Sequence, residues 1–273
     1  MARPGRTQRD TQSRASVIGR SAPKPFVYRV MVECEAVGAA RAPATVSLRD
    51  AYIRWSDPPL SLWFGQYKTP FSREYITSIA VLETADRSAV VDTLAPKRDL
   101  GIMAECALGT YGTATLGVFN GEGQNAVLNR DSTVLVMARV TVRPVAEVGL
   151  GGSFAHYRAD SARYGADANV EFRGLTMRGE LIGQRKRGRD RDDLGWLALG
   201  AYRALPWLQL VLRQEDFQRP SIGPTRRITA TTAGANVEFP GGKTRLIVNL
   251  VSRTTGFPRV RKNSLIVQLQ VRF

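Results

Sequence analysis

Read in steps of two, the stretch LIVQLQVRF at the end of the chain puts Leu265, Val267, Leu269 and Val271 on one side of an extended backbone and Ser264, Gln268, Gln270 and Arg272 on the other. That alternation is the mark of a strand between two different environments. It recurs at roughly 25–36, 45–56, 59–68, 99–109, 111–120, 133–143, 145–157, 165–173, 175–185, 194–205, 207–217, 228–239, 243–253 and 263–273, which makes fourteen strands. Helical periodicity is weak and confined to residues 72–95. Between strands, short joins such as RG, LP and PGG alternate with long ones such as NGEGQNAVLNRD, RKRGRDRDD and QRPSIGPTRR. Short, long, short, long is the rhythm of an up-and-down sheet with tight turns at one end and loops at the other. A Greek-key sandwich has no reason to keep it.

The alternation also sorts residues by face. Leu208, Leu210 and Leu212 oppose Gln209, Arg213 and Glu215; Leu246, Val248 and Leu250 oppose Arg245, Asn249 and Arg253. Periodicity alone does not say which face is inside, because a soluble barrel fills its centre with apolar residues. Three facts favour lipid outside. Fourteen strands enclose more space than side chains fill, no second set of apolar elements is present to cover the greasy faces, and the aromatics Tyr28, Trp55, Trp63, Tyr111, Trp196, Tyr202, Trp207 and Phe273 fall near strand ends, as in an interfacial girdle. The expected fold is therefore all-β, an antiparallel up-and-down transmembrane β-barrel over residues 25–273, with both chain ends on the short-turn side. Residues 1–24 carry six basic groups against one acid and no apolar leader core, and are expected to be disordered. This points to a misassigned or truncated start.

Composition adds sign rather than shape. Lys and Arg total 39 against 24 Asp and Glu, for a formal charge of +15 and a pI near 10.6, which suggests an anionic partner. The two cysteines, Cys34 and Cys106, form no CxxC, and neither metal nor cofactor is expected. His156 is the single histidine, so a Ser-His-Asp hydrolase would hang on it alone and no enzyme is expected. A soluble basic β-protein binding nucleic acid or anionic polysaccharide is the rival reading. It needs aromatics interleaved with Lys and Arg on one exposed face, whereas here the bases dominate the loops, and nucleic acid is not expected as a partner.

The segment GQYKTPFSREYITSIAVLETADRSAVVDTLAPKRDLG at 65–101, preceded by VSLRDAYIRW at 46–55 and followed by LGVFNGEGQN, resembles the phosphate-selective porin O and P family of bacterial outer membranes. The order carries the resemblance: GQxKxPF, about thirty loop residues with a central Asp86-Arg87 pair, a basic RDLG strand start, then GVFNG. It is densest over 46–124 and beyond that rests on strand pattern and the terminal Phe273, the expected outer-membrane assembly signal. It implies a water-filled homotrimer of sixteen-stranded barrels, in outer-membrane lipid by way of the barrel assembly machinery, with one external loop folded inward. The inward loop is expected at 69–98, and the first two family strands are expected to be missing.

Passive diffusion of small anions, phosphate or polyphosphate among them, is the function so implied. The expected constriction comprises Arg73, Arg87, Lys97 and Arg98, with Lys68 at its entry. Expected lumen residues are Arg29, Arg54, Arg139, Arg143, Arg178, Arg213, Arg245, Arg253 and Arg272, although inward acids such as Glu33, Asp50, Glu105, Glu180 and Glu215 are numerous enough to pair with many of them. The basic stretches 185–191, 219–227 and 259–262 are expected to gather anions at the mouth. A truncated barrel without function is the remaining alternative.

Overall fold

The computed structural model describes residues 10–20, 25–37, 45–130, 132–157, 161–220, 227–256 and 259–271. Among these described residues, fifteen strands form one antiparallel sheet in sequence order. They are β1 (Asp10–Arg20), β2 (Phe26–Val37), β3 (Thr45–Asp57), β4 (Leu60–Lys68), β5 (Arg98–Ala107), β6 (Gly112–Phe119), β7 (Leu135–Val145) and β8 (Val148–Tyr157). The series continues with β9 (Ser161–Phe172), β10 (Leu175–Lys186), β11 (Asp193–Leu205), β12 (Leu208–Gln218), β13 (Arg227–Glu238), β14 (Thr244–Thr255) and β15 (Val260–Val271). Between β4 and β5 lie two short helices, α1 (Arg73–Ile76) and α2 (Ala89–Leu94), and a 3-10 turn at Ile79–Val81.

The fourteen segments read from alternation correspond to β2–β15. The strand count is corrected by β1, which lies in the stretch expected to be disordered and pairs with β2 from Asp10 opposite Val37 to Arg20 opposite Val27. DTQSRASVIGR has few large apolar residues and so no clear period of two, but the ladder is made by backbone groups, which any sequence carries. The extra strand also moves the amino-terminal end of β1 to the long-connection side. Residues 1–9 and 21–24 lie outside the described residues.

The two faces differ as the alternation requires. On β12, Leu210 and Leu212 are exposed while Val211, Arg213 and Glu215 are buried; on β14, Leu250 is exposed while Arg245, Ile247 and Asn249 are buried. Thus the charged phase is the covered one. Exposed large apolar residues recur on every strand from β2 to β15 except β13, a spread that a soluble monomer does not usually show.

What covers the charged face is the β4–β5 segment. Its Phe71, Tyr75, Val90, Val91, Leu94 and Ala95 join Tyr67 of β4, Phe119 of β6, Met137 of β7, Ala155 of β8, Ile182 of β10, Leu197 of β11 and Phe217 of β12 in one buried cluster. One segment reaching side chains on so many strands means that the sheet curls around it. Val90 occupies the space left by Gly195, where a Cβ would come within 2.7 Å of Val90 Cγ1.

Gly65 sits at φ +123° in β4, and a Cβ there would stand 2.2 Å from the carbonyl oxygen of Ala51 on β3. Gly200 of β11 has open space around it. Gly65→Ala should therefore destabilise the folded protein by about 1–3 kcal/mol through backbone strain, with the clash adding to it. Gly200→Ala should leave the urea midpoint of unfolding in detergent unchanged or raise it.

Candidate functional site: the charged inner face

The β4–β5 segment is tied to the sheet by polar groups as much as by its apolar cluster. Glu74 follows Ser72, whose hydroxyl caps α1 by accepting from Tyr75 N. The Glu74 carboxylate accepts from Ser88 Oγ at 2.7 Å and from Ser88 N, and pairs with Arg213 of β12 at 3.2 Å. Ser88 caps α2 in turn, and Ala89 N donates to Glu215 of β12 at 2.5 Å. Arg213 also donates to Thr84 Oγ1 and to the carbonyl of Asp86, both at 2.8 Å. The two helix starts and β12 thus share one knot of charge formed by Glu74, Ser88, Arg213 and Glu215, all buried.

Further along the sheet the ties continue. Arg178 of β10 pairs with Glu83 at 2.7 Å, Asn236 of β13 donates to the Glu83 carbonyl at 2.8 Å, and Ala85 N donates to Asn249 of β14 at 2.8 Å. Arg245 donates to the carbonyl of Leu82 at 2.8 Å, and Arg163 of β9 to that of Leu94 at 2.9 Å. Arg73 pairs with Asp167 of β9 at 2.7 Å, and Asp167 also holds Arg139 of β7 at 2.7 Å. Burial pushes the Glu83 carboxyl above the usual glutamate range, opposed by the Arg178 guanidinium. Burial likewise raises the Tyr75 hydroxyl, opposed by Arg98 and Arg87.

Beside the segment a cavity of about 1220 Å³ opens, bordered by Arg29 and Met31 of β2, Thr113 and Thr115 of β6, and Val271 of β15 among others. Its cations are Arg29, Lys68, Arg73, Arg87, Arg98, Arg139 and Arg143, and its carboxylates are Asp50 and Glu105. Four of the five residues expected at the constriction are therefore together on one wall. Each has other work as well. Arg98 pairs with Asp50 at 2.7 Å, while Lys68 and Arg87 donate to backbone carbonyls of the segment, including those of Tyr75 and Thr77. Lys97 is apart from the cavity, exposed and paired with Asp92 at 2.9 Å.

Of the expected lumen set, Arg29, Arg139 and Arg143 border the cavity, and Arg143 is exposed there. Arg178, Arg213 and Arg245 are instead covered by the segment and hold it. Arg54 lies 5.0 Å over the ring of Trp63. Arg253 is exposed on β14, and Arg272 and Phe273 lie outside the described residues. Of the basic mouth stretches, Arg185 pairs with Asp192 at 3.3 Å and Arg227 with Asp216 at 2.5 Å, while 221–226 is outside the described residues.

One reading of a single residue changes. Trp63, expected in a lipid-facing girdle, stands on the inner phase and borders the cavity with Tyr52 and Tyr67. In β4 it is opposite Arg54, so the register places both on one face. Tyr28, Tyr111, Trp196, Tyr202 and Trp207 are exposed, as a girdle requires. His156 lies on the exposed phase of β8, its ring stacked on Phe154.

A curled antiparallel sheet, apolar without and charged within, carrying a long segment along its inner face, is the architecture of a porin. The phosphate-selective porin O and P family model matches residues 22–204, and the chain belongs to that family. The match extends well past the motif-rich stretch. Among solved structures, the fold is similar to Pseudomonas putida OprB at low pH, with 9% identity, a TM-score of 0.70, and coverage of 97% of this chain and 86% of that one. An anion-selective porin from Comamonas acidovorans matches at 12% identity and a TM-score of 0.66, over 96% and 88% of the two chains. A triple mutant of the Rhodopseudomonas blastica porin matches at 14% identity and 0.61, over 97% and 91%. No curated protein sequence matches the chain.

Removing Arg213 strands the buried carboxylates of Glu74 and Glu215, so Arg213→Met should cost about 3–5 kcal/mol and open residues 69–97 to added protease. Glu83→Gln should be far milder than Arg178→Met, because burial already opposes charge on Glu83. Its raised pKa means that the folded chain binds this proton more tightly than the unfolded one. Stability from this group is therefore present at low pH and lost as pH rises through the folded value. Urea midpoints between pH 4 and 7 should fall less steeply with rising pH in Glu83→Gln than in the wild type.

Proposed function

We propose that the protein is an outer-membrane diffusion channel for small anions, phosphate and short polyphosphates among them. The observation that carries this reading is the cavity of about 1220 Å³, where seven cationic side chains face two carboxylates, Asp50 and Glu105. An anion entering a narrow passage loses hydration, and a wall of guanidinium and ammonium groups offsets that loss. Because Arg73, Arg98 and Arg139 are already paired with carboxylates, the wall attracts without gripping. Conduction requires that weakness, since a site that holds too tightly stops the flow.

On this reading the β4–β5 segment sets the constriction, with Arg73, Arg87, Arg98 and Lys68 along it. The exposed apolar face meets outer-membrane lipid. The basic ends of the long connections raise the local anion concentration, an effect that salt screens. Family resemblance further supports a homotrimer, and a terminal Phe273 read by the barrel assembly machinery.

The test is conductance of the detergent-refolded chain in a planar bilayer under a KCl gradient. Discrete steps with an anion-selective reversal potential, reduced by added phosphate, are the expected outcome. Arg143→Gln should move that potential toward the cation side, whereas Lys97→Gln, away from the cavity, should leave it in place. Steps without selectivity would overturn the anion reading, and folded protein without steps would overturn the channel. Leu250→Arg, near the middle of β14 on the apolar face, should cost about 2–4 kcal/mol in lipid.

A further inference from the structure

The inner wall is cationic, but on β3 and β4 it is also aromatic. Tyr52 of β3 and Trp63 of β4 are only partly buried and border the cavity, with Tyr67 behind them. Gly65 lies opposite Tyr52 in the register and supplies no side chain. The three rings lie together: their centroids are 4.9 Å apart for Tyr52 and Trp63, 5.9 Å for Tyr52 and Tyr67, and 5.6 Å for Trp63 and Tyr67. The interplanar angles of 46°, 79° and 47° are those of a panel that presents ring edges and faces at several inclinations.

Cations frame this panel. Arg29 is directly opposite Tyr52 on the neighbouring strand, which brings their Cβ atoms to about 4.5–5.5 Å. Arg54 covers part of Trp63. Lys68 follows Tyr67 in the same cavity. The Tyr67 hydroxyl, the Trp63 indole N–H and Arg54 Nε have no hydrogen-bond partner, while Arg29 Nε lies 3.7 Å from the Asp50 carboxylate. A simple inorganic anion needs the cations and makes no use of the rings. A bilayer-facing girdle needs the rings but on the other face.

We propose that this wall is a binding site for small aromatic anions, a flat ring bearing a carboxylate. The ring stacks on one of Tyr52 and Trp63 and meets the other edge-on, as their 46° inclination requires, and the carboxylate accepts from the partly exposed Arg29 guanidinium. A planar ring meets the one side-chain ring it stacks on at van der Waals distance over its whole face, whereas a puckered ring of the same charge meets it at a few hydrogens. The inference rests on the channel reading for its route of entry, but not for the site itself.

The experiment compares benzoate with cyclohexanecarboxylate, which have equal charge and similar size. In the bilayer, benzoate should reduce anion conductance at about tenfold lower concentration, the worth of one stacking contact. Trp63→Leu and Tyr52→Leu should each remove most of that difference between the two carboxylates. If the channel conducts anions but the two carboxylates act alike, this inference fails and the channel reading stands. If no steps form, the refolded protein is titrated in detergent by calorimetry. There, benzoate binding that exceeds cyclohexanecarboxylate binding and is lost in Trp63→Leu supports the site, and equal or absent binding overturns it.

Discussion

A charge taken out of water has to meet its opposite, and in this protein that requirement joins a loop to a wall. The β4–β5 segment has one face of apolar side chains and many buried carbonyls and carboxylates. Many of these are met by guanidinium, ammonium, amide or hydroxyl groups, some from the strands and some from the segment itself. Arg213 is the extreme case: one side chain satisfies Glu74, Thr84 and the Asp86 carbonyl at once. A buried ion pair contributes little net stability beside an apolar pair of the same shape, yet it is costly to break from one side. The knot around Glu74 therefore fixes where the segment lies more than how firmly the sheet holds together.

That division sorts the arginines into two groups that their shared residue type conceals. One group, with Arg178, Arg213 and Arg245, is consumed in holding the segment. The other is Arg143, which borders open space. Between them stand Arg29, Arg73, Arg98 and Arg139, which do both: each is paired with a carboxylate and still lines the cavity. The electrostatic character of the cavity is therefore less than its tally of cations suggests, and it depends on Asp50 and Asp167 as much as on the bases.

Most of the sheet was legible from alternation, because a strand with unlike faces writes its period into the sequence. β1 was not, since its pairing with β2 uses backbone groups that carry no sequence signal. The phase of the inner face was also legible, as was the importance of the segment after GQYKTPF. What alternation could not give was the partner of each charge. Lys97 and Arg98 are neighbours in sequence, yet one is exposed beside Asp92 and the other meets Asp50 across the sheet. Trp63 misled for a related reason. An aromatic near a strand end suits an interfacial belt, and only the register with Arg54 places it on the inner side.

The hydrogen bond from Ala85 N to Asn249 joins residues 164 positions apart. Such a tie cannot form until both of its ends exist in place. Asn249 sits on β14, next to the last strand. The segment between β4 and β5, though made early along the chain, thus has no complete berth until almost all the sheet has been laid down. Long-range contacts of this kind are slow to form, because the intervening chain must first give up its freedom. Before that moment the segment's buried carboxylates and carbonyls have only water for company, so its docking belongs to the final stage of assembly, when the wall that receives it is already standing.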